Sequence, residues 1–265
     1  MLMLDKLLKI SPIASELQMI DVVFLPSLLR PQHTTGARVV VLDVLRATST
    51  MVTALAHGAT AIHYVAEPAA ALAQKAALPG ALACGERDCL KFPGFDLGNS
   101  PAEFIPAVVQ GKTLICSTTN GTRALLAAHG ASEILLGSLL NAQATAQWLS
   151  RDVFGAPITL LCAGTQGAHA IEDVIGAGAI LWNLLQQTYR PDLPFTDTAW
   201  MAYHTFAATR SRLPAALRLG QGGINLISAG LESDIDRCAE LDSQPLVAKV
   251  DPATQTIRQM FVPLT

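Results

Sequence analysis

Three times along this chain a short apolar run gives way to a loop of small polar residues and then to an alanine- and leucine-rich helix. Arg38–Leu42 (RVVVL) leads into DVLRATST and a helix with apolar positions at Met51, Val52 and Leu55, stopping at Gly58. Residues 113–116 (TLIC) lead into STTNGT, Arg123 and a helix that stops at Gly130. Residues 158–185 (ITLLCAGTQGAHAIEDVIGAGAILWNLL) follow the same order. Strands joined through helices run parallel with right-handed crossovers, and the helices cover the sheet. The run VVVL suits a strand buried on both faces. We therefore expect an α/β fold, a largely parallel sheet flanked by helices. The three loops should open on one edge of it, at the carboxyl ends of the strands, where ligands collect. The matching layouts of TSTMVTALAHGATAIHYV and NGTRALLAAHGASEILLG read as convergence on one strand–helix grammar rather than duplication.

Other elements fill in around these units. Residues 22–25 and 62–65 read as short strands, and Glu67-Pro68 opens a helix to about Ala77. Residues 80–110 read as a long, charged, turn-rich loop, which in a compact domain is usually functional. Phe92 and Phe95 argue against its being disordered. Gln221-Gly222-Gly223 reads as a break, residues 224–241 as an interrupted helix, and 246–250 with 257–262 as a terminal strand pair. Residues 1–19 are interrupted by Asp5, Lys6 and Lys9 and lack the features of a secretory leader. They read as an extension ahead of a single domain, 20–265; two lobes, if present, divide near 190–200, where RPDLPFTDTAW is proline-rich.

Composition excludes some functions. A net charge of -3 argues against a nucleic-acid-binding surface. No apolar run approaches membrane-spanning length. The five cysteines lack paired CxxC spacing, and two sit in apolar runs, so they read as mostly reduced thiols of a cytoplasmic protein. The 51% apolar content is compatible with a homodimer.

The polar residues past the strands carry the chemistry. Past the first stand Asp43, Arg46, Thr48 and Ser49; past the second, Ser117, Thr118, Thr119, Asn120 and Arg123. Past the third come Thr165 and Gln166, with Glu172 and Asp173 in the helix beyond, and the long loop adds Glu86, Arg87, Asp96 and Asn99. Arginines, hydroxyls and helix-start N–H groups hold oxyanions. Carboxylates beside them repel oxyanions unless a hard divalent cation lies between, which points to Mg²⁺-assisted phosphoryl chemistry on a small anionic substrate. Simpler roles compete at each position. Asp43 can cap the helix, Arg46 and Arg87 can pair with neighbouring acids, and Asp96 and Asn99 suit turns. Glu172 and Asp173 are adjacent on a helix, so at most one faces the site unless the chain bends. His57 and His129 read as helix C-terminal caps. Six residues separate Cys116 from Arg123 where a cysteine phosphatase needs five, and Leu45 stands where an aspartyl-phosphate enzyme needs a second Asp.

LDVLRATST (42–50), GER (85–87), GFDLGNSP (94–101), STTNGTRA (117–124) and AGTQGAHAIED (163–173) together resemble the 2-phosphosulfolactate phosphatases, the ComB-like family. The likeness spans residues 22–250. It implies an α/β fold of the family's own and a Mg²⁺-dependent cytoplasmic hydrolase. That enzyme converts 2-phospho-3-sulfolactate and water to 3-sulfolactate and phosphate, a step of coenzyme M biosynthesis. On this reading the catalytic candidates are Asp43, Glu86 and Asp173, and the metal ligands come from Asp43, Asp96, Glu172 and Asp173. Substrate contacts fall to Arg46, Thr48, Ser49, Arg87, Asn99, Ser117, Thr118, Thr119, Asn120 and Arg123. The chain departs from the pattern in Asp88-Cys89, where small glycine-type residues are usual, and in Ser243-Gln244 before Pro245. Leu226, Gly230, Asp234 and Asp242 keep a family-like spacing. The alternatives are a Mg²⁺-dependent phosphatase of another small phosphorylated 2-hydroxy acid, and a non-catalytic anion-binding or sensor protein.

Overall fold

The computed structural model describes residues 19–188 and 192–260. The expected extension lies, apart from Met19, outside the described residues, as do 190 and 191 in the expected lobe boundary. In chain order the strands are β1 Ile20–Val23, β2 Arg38–Leu42, β3 Ala61–Tyr64, β4 Leu82–Arg87, β5 Leu90–Lys91, β6 Thr113–Ser117, β7 Glu133–Gly137, β8 Ile158–Cys162, β9 Val247–Asp251 and β10 Thr256–Met260. The helices are α1 Ala47–Ala56, α2 Pro68–Ala77, α3 Pro106–Val109, α4 Gly121–Ala127, α5 Ala142–Ser150, α6 Ile171–Thr188, α7 Asp197–Thr209, α8 Leu213–Leu217, α9 Gln221–Ser228 and α10 Glu232–Cys238.

The strands form one sheet in the order β1-β8-β2-β7-β9-β10-β3-β6-β4-β5. Two parallel blocks, β1-β8-β2-β7 and β3-β6-β4, are joined through the terminal hairpin β9–β10. The pairings on either side of that hairpin, and within it, are antiparallel. Followed along the ladder, the second block therefore runs opposite to the first. This corrects the expectation of three loops on one edge: the loops after β2 and β8 share an edge, and the loop after β6 leaves a reversed strand. The loops still converge, because the sheet twists. Six pairings separate β2 from β4, as they do β8 from β6. At about 20–25° per pairing they accumulate roughly 120–150° of turn.

The curl encloses α1, whose residues from Ala47 to Leu55 are all buried. Its sequence, ATSTMVTALA, uses small residues and hydroxyls that bond within the helix or to adjacent loops, such as Thr53 Oγ1 donating to Ser49 O at 2.8 Å. One apolar core lies here, joining Val39 and Val41 of β2 to Ile62 of β3, Leu114 of β6, Ala248 of β9 and α4. The opposite face of the first block carries a second core, where Val40, Leu42 and Leu160 meet α5, α6 and α7. Residues of α7, including Ala199, Ala202 and Phe206, belong to this same core. A small third core lies under α2, around Ala71, Ala83 and Ile115.

Three local expectations are corrected. The segment 80–110 contains β4 and the β4–β5 hairpin. Its strand was masked because LACGER has no apolar alternation. Gln221-Gly222-Gly223 is the first turn of α9 rather than a break: Gly222 leaves room for the Glu172 side chain and Gly223 for the backbone of Leu217 and Arg218. Cys84 and Cys116, opposite each other on β4 and β6, are joined as a disulfide, while Cys89, Cys162 and Cys238 are free. Among the described residues no helix is long and apolar enough to cross a membrane.

Candidate active site

Where the two blocks meet, a cleft with a cavity volume of about 60 Å³ opens. Its walls include Asp43 from the end of β2, Glu86 from β4, Asn99 from the segment between β5 and β6, Thr119 and Asn120 past β6, and Thr165 past β8. The loop after β2 is drawn tight by its own polar groups. Thr48 N–H and Oγ1 both donate to Asp43 O, at 2.9 and 3.0 Å, and Ser49 Oγ donates to Val44 O at 2.8 Å. Thr48 and Ser49 are thus buried braces of the loop, and neither lines the cleft. Asp43 Oδ1 accepts the Ala47 N–H at 3.2 Å. Gly121 admits the carboxylate: a Cβ there would sit 2.9 Å from Asp43 Oδ2 and 2.7 Å from Ala47 Cβ.

Carboxylates crowd this end of the sheet. Burial pushes the Asp43 carboxyl up to about 7, and the charges of Glu86 and Glu172 add to that against the Ala47 and Gly121 N–H groups. Glu172 is only 1% exposed and neither of its oxygens meets a well-aligned donor. The Thr165 hydroxyl and Gly222 N–H near it soften the burial without cancelling it, and its carboxyl stays raised. A Cβ at Gly222 would collide with Glu172 Oε1, so only glycine lets α9 begin against this carboxylate. Asp173 turns the other way. It accepts Val44 N–H at 2.8 Å and Gly164 N–H at 2.9 Å, clamping the loops after β2 and β8 together. Burial, then Asp43, then Glu172 hold its carboxyl well above the ordinary range. Both adjacent acids in the first turn of α6 are therefore buried, with different tasks.

The remaining candidates divide. Glu86 lines the cleft, but Cys89 N–H donates to its Oε2 at 2.9 Å and Thr119 N–H to its Oε1 at 3.3 Å, so it works as a bracket for the loops around it. Arg46 also lines the cleft, yet its Nη1 donates to Asp234 Oδ2 at 2.6 Å in a buried ion pair, and Ser100 Oγ donates to Asp234 Oδ1 at 2.6 Å. Asp96 lies in neither wall: it accepts from Lys75 Nζ at 2.6 Å and from Ala83 N–H at 2.7 Å. Ser117, Thr118, Arg87 and Arg123 line a second pocket, with a volume of about 160 Å³, that shares Thr119 with the cleft. Asp234, Asn225 and Gly222 complete the cleft or its support and were absent from the candidate list. The family-like spacing of Leu226 and Asp234 was the signal that could have found them.

The chain matches the 2-phosphosulpholactate phosphatase family over residues 23–252. The chain belongs to this family. Proteins named probable 2-phosphosulfolactate phosphatase are similar to it across most of their length. That of Carboxydothermus hydrogenoformans is 40% identical over 84% of this chain and 89% of its own. The Deinococcus radiodurans protein is 39% identical over 80% and 87%, and that of Thermotoga maritima 39% over 84% and 92%. The small residues expected after GER from the resemblance have a structural reason. Asp88 and Cys89 adopt φ of 53° and 66°, the left-handed backbone of a two-residue hairpin turn that glycine occupies most easily. Through that turn a third acid, Asp88, joins Asp43 and Glu86 in the cleft wall.

Proposed function

We propose that the protein hydrolyses 2-phospho-3-sulfolactate to 3-sulfolactate and phosphate, with the phosphoryl group in the cleft and with Mg²⁺. Membership of the phosphatase family supports the reaction class. One structural observation supports the assignment to the cleft: Asp43 and Glu172, both buried, stand close enough to repel each other, and among the described residues neither forms an ion pair. A phosphate dianion cannot enter beside Asp43, Glu86 and Asp88 unless positive charge accompanies it.

The residues fit a hard cation. The donors are carboxylate oxygens, and the oxygens of Glu172 are unclaimed. Among the described residues no three His, Cys, Asp or Glu side chains converge on one point. Mg²⁺ needs only one or two carboxylates and completes its shell with water and phosphate oxygens. Asp43 and Glu172 would hold it, and when bound it supplies neutralisation of the phosphoryl charge. Asp173 supports the site by fixing both loops, and Asp96 has no part in it.

The other wall residues bind and orient. Asn99 and Asn120 offer amide donors towards the phosphoryl oxygens, while Thr119, whose N–H and hydroxyl are held by Glu86, shapes the wall. Arg46 offers directed N–H groups with little net charge, because Asp234 balances it. In phosphoryl transfer the protein's contribution is mostly positioning and charge stabilisation, with little covalent chemistry. The decisive experiment is phosphate release from 2-phospho-3-sulfolactate with Mg²⁺ and again with excess chelator. Release that depends on the metal is expected; release that survives complete chelation would overturn the cation's role.

A second reading has one observation in its favour. Asp88 adds a negative charge to the cleft where the family pattern has a small residue. A substrate with less negative charge than phosphosulfolactate, another small phosphorylated 2-hydroxy acid, would meet less repulsion there. Comparing kcat/KM for 2-phospho-3-sulfolactate, 2-phospholactate and phosphoglycolate separates the two.

A further inference from the structure

The second pocket differs from the cleft in sign. Its charged groups are Arg87 and Arg123 against Glu67, all exposed at the rim. Among the described residues neither arginine pairs with a carboxylate, whereas Arg46, Arg38 and Arg218 all do. Arg87 is steadied instead by stacking over the Phe92 ring, 5.4 Å from its centroid. The pocket floor is hydroxyl-bearing. Thr118 and Thr122 hold each other at 3.2 Å between Oγ1 atoms, and Ser117 Oγ donates to Ala66 O at 3.3 Å. Two unpaired guanidinium groups over hydroxyls are suited to a tetrahedral oxyanion without a metal.

The two pockets adjoin at Thr119, which stands in both walls. Thr119 N–H is bound to Glu86 Oε1 and Thr119 Oγ1 donates to Glu86 O at 3.4 Å, so the partition is fixed. A small molecule carrying two strong acid groups can therefore span the partition. Its phosphoryl end belongs on the acidic side, where a cation is required. Its other end belongs on the arginine side, where none is.

Building on the proposed function, we infer that the pocket of Arg87 and Arg123 docks the substrate's non-reacting sulfonate and makes the enzyme selective for sulfonated phosphoesters. The sulfonate, with three oxygens in a tetrahedral array, matches a pocket that presents two guanidinium forks and hydroxyls from different directions.

Arg123→Gln and Arg87→Gln test this, since both side chains are exposed and their loss leaves the cores intact. Folding is checked by circular dichroism and thermal melting. The readout is the ratio of kcat/KM for 2-phospho-3-sulfolactate to that for 2-phospholactate, which keeps the carboxylate and phosphate but lacks the sulfonate. Losing one charge-assisted bond should lower this ratio roughly 10–100-fold in each variant. Calorimetric binding of 3-sulfolactate should weaken by a similar factor, while competitive inhibition by inorganic phosphate keeps its constant. An unchanged ratio would overturn the inference. Equal losses on both substrates with weakened inhibition by phosphate would assign the arginines to the phosphoryl group; equal losses with unchanged inhibition would assign them to the carboxylate. Should the wild-type protein hydrolyse no phosphoester, the proposed function fails. Binding of 3-sulfolactate that needs Arg87 and Arg123 would then still support the pocket, and binding indifferent to them would reject it.

Discussion

The two ends of β2 bury charge in opposite ways. At its start, Arg38 donates to Glu133 Oε2 at 2.9 Å and to the carbonyls of Leu149, Trp148 and Asp152. Glu133 also accepts from Lys249 Nζ at 2.9 Å and Trp148 Nε1 at 3.1 Å. Burial alone would raise the Glu133 carboxyl, but the bonds from Lys249, Trp148 and Arg38 outweigh it and hold the group low. Five residues on, just past the strand, burial raises Asp43, Glu172 and Asp173, with the charges of Glu86 and Glu172 adding at Asp43 and those of Asp43 and Glu172 adding at Asp173. Both ends hold charged groups away from solvent. One is satisfied within the chain and stabilises the fold; the other keeps mutually repelling carboxylates that, on the proposed function, receive a cation.

The largest expected effect lies at the satisfied end. Glu133→Ala leaves Arg38 buried without its partner, and breaking such a pair costs about 3–5 kcal/mol. Urea unfolding should show that loss, while turnover per folded molecule stays at the wild-type level. A loss of activity without loss of stability would erase the contrast between the ends.

At the other end the outcome reverses. Asp43→Asn should lower kcat by roughly 10²–10³, the range for removing one preorganised electrostatic group. The same variant should melt at a higher temperature than wild type in chelator, because a repelling charge has gone. Full activity in Asp43→Asn would remove the cleft from the mechanism.

Binding of the cation itself gives a smaller shift with a readout independent of turnover. At a hundredfold excess over its dissociation constant, Mg²⁺ should stabilise the wild-type protein by about 2.7 kcal/mol. Glu172→Gln should lose most of that gain in thermal melts with and without the metal. A variant that gains as much as wild type would place the ion elsewhere.

The smallest effect is in pH. Because the Glu133 carboxyl is held below its ordinary 4.5, its contribution is fully present above that value and is lost as pH falls through its lower folded value. The stability gap between wild type and Glu133→Gln should therefore be level from about pH 8 to pH 5 and close below about pH 4.5. A gap that widened on acidification would reverse the sign assigned to this network.

The parts of the molecule legible in the chain were those specified by local rules. VVVL announced a strand buried on both faces, and all of Arg38–Leu42 is buried. The terminal strand pair and the strand–loop–helix units also follow from periodicity and turn chemistry. β4 did not, because its position is set by pairing with β6 and its residues Gly85, Glu86 and Arg87 are placed for loop contacts rather than apolar alternation. The same holds for Gln221-Gly222-Gly223, where glycine admits Glu172 rather than ending a helix.

For the site, the sequence by itself determined the inventory: acids, hydroxyls and arginines placed after strands, in motifs specific enough to name a family. Only the tertiary structure decided how that inventory is divided. Direction reversal and twist brought the ends of opposed strand blocks together, and that placed Asp43 of the first block beside Glu86 and Thr119 of the second, with Arg87 and Arg123 on the far side of Thr119. It also spent Arg46 on Asp234, 188 residues away, and Asp173 on two backbone N–H groups. Motifs report which groups a loop carries because composition and turn preference are local. Whether a charged group is free to meet a substrate depends on which partner the fold brings within 3 Å or so, and that is a property of the whole chain.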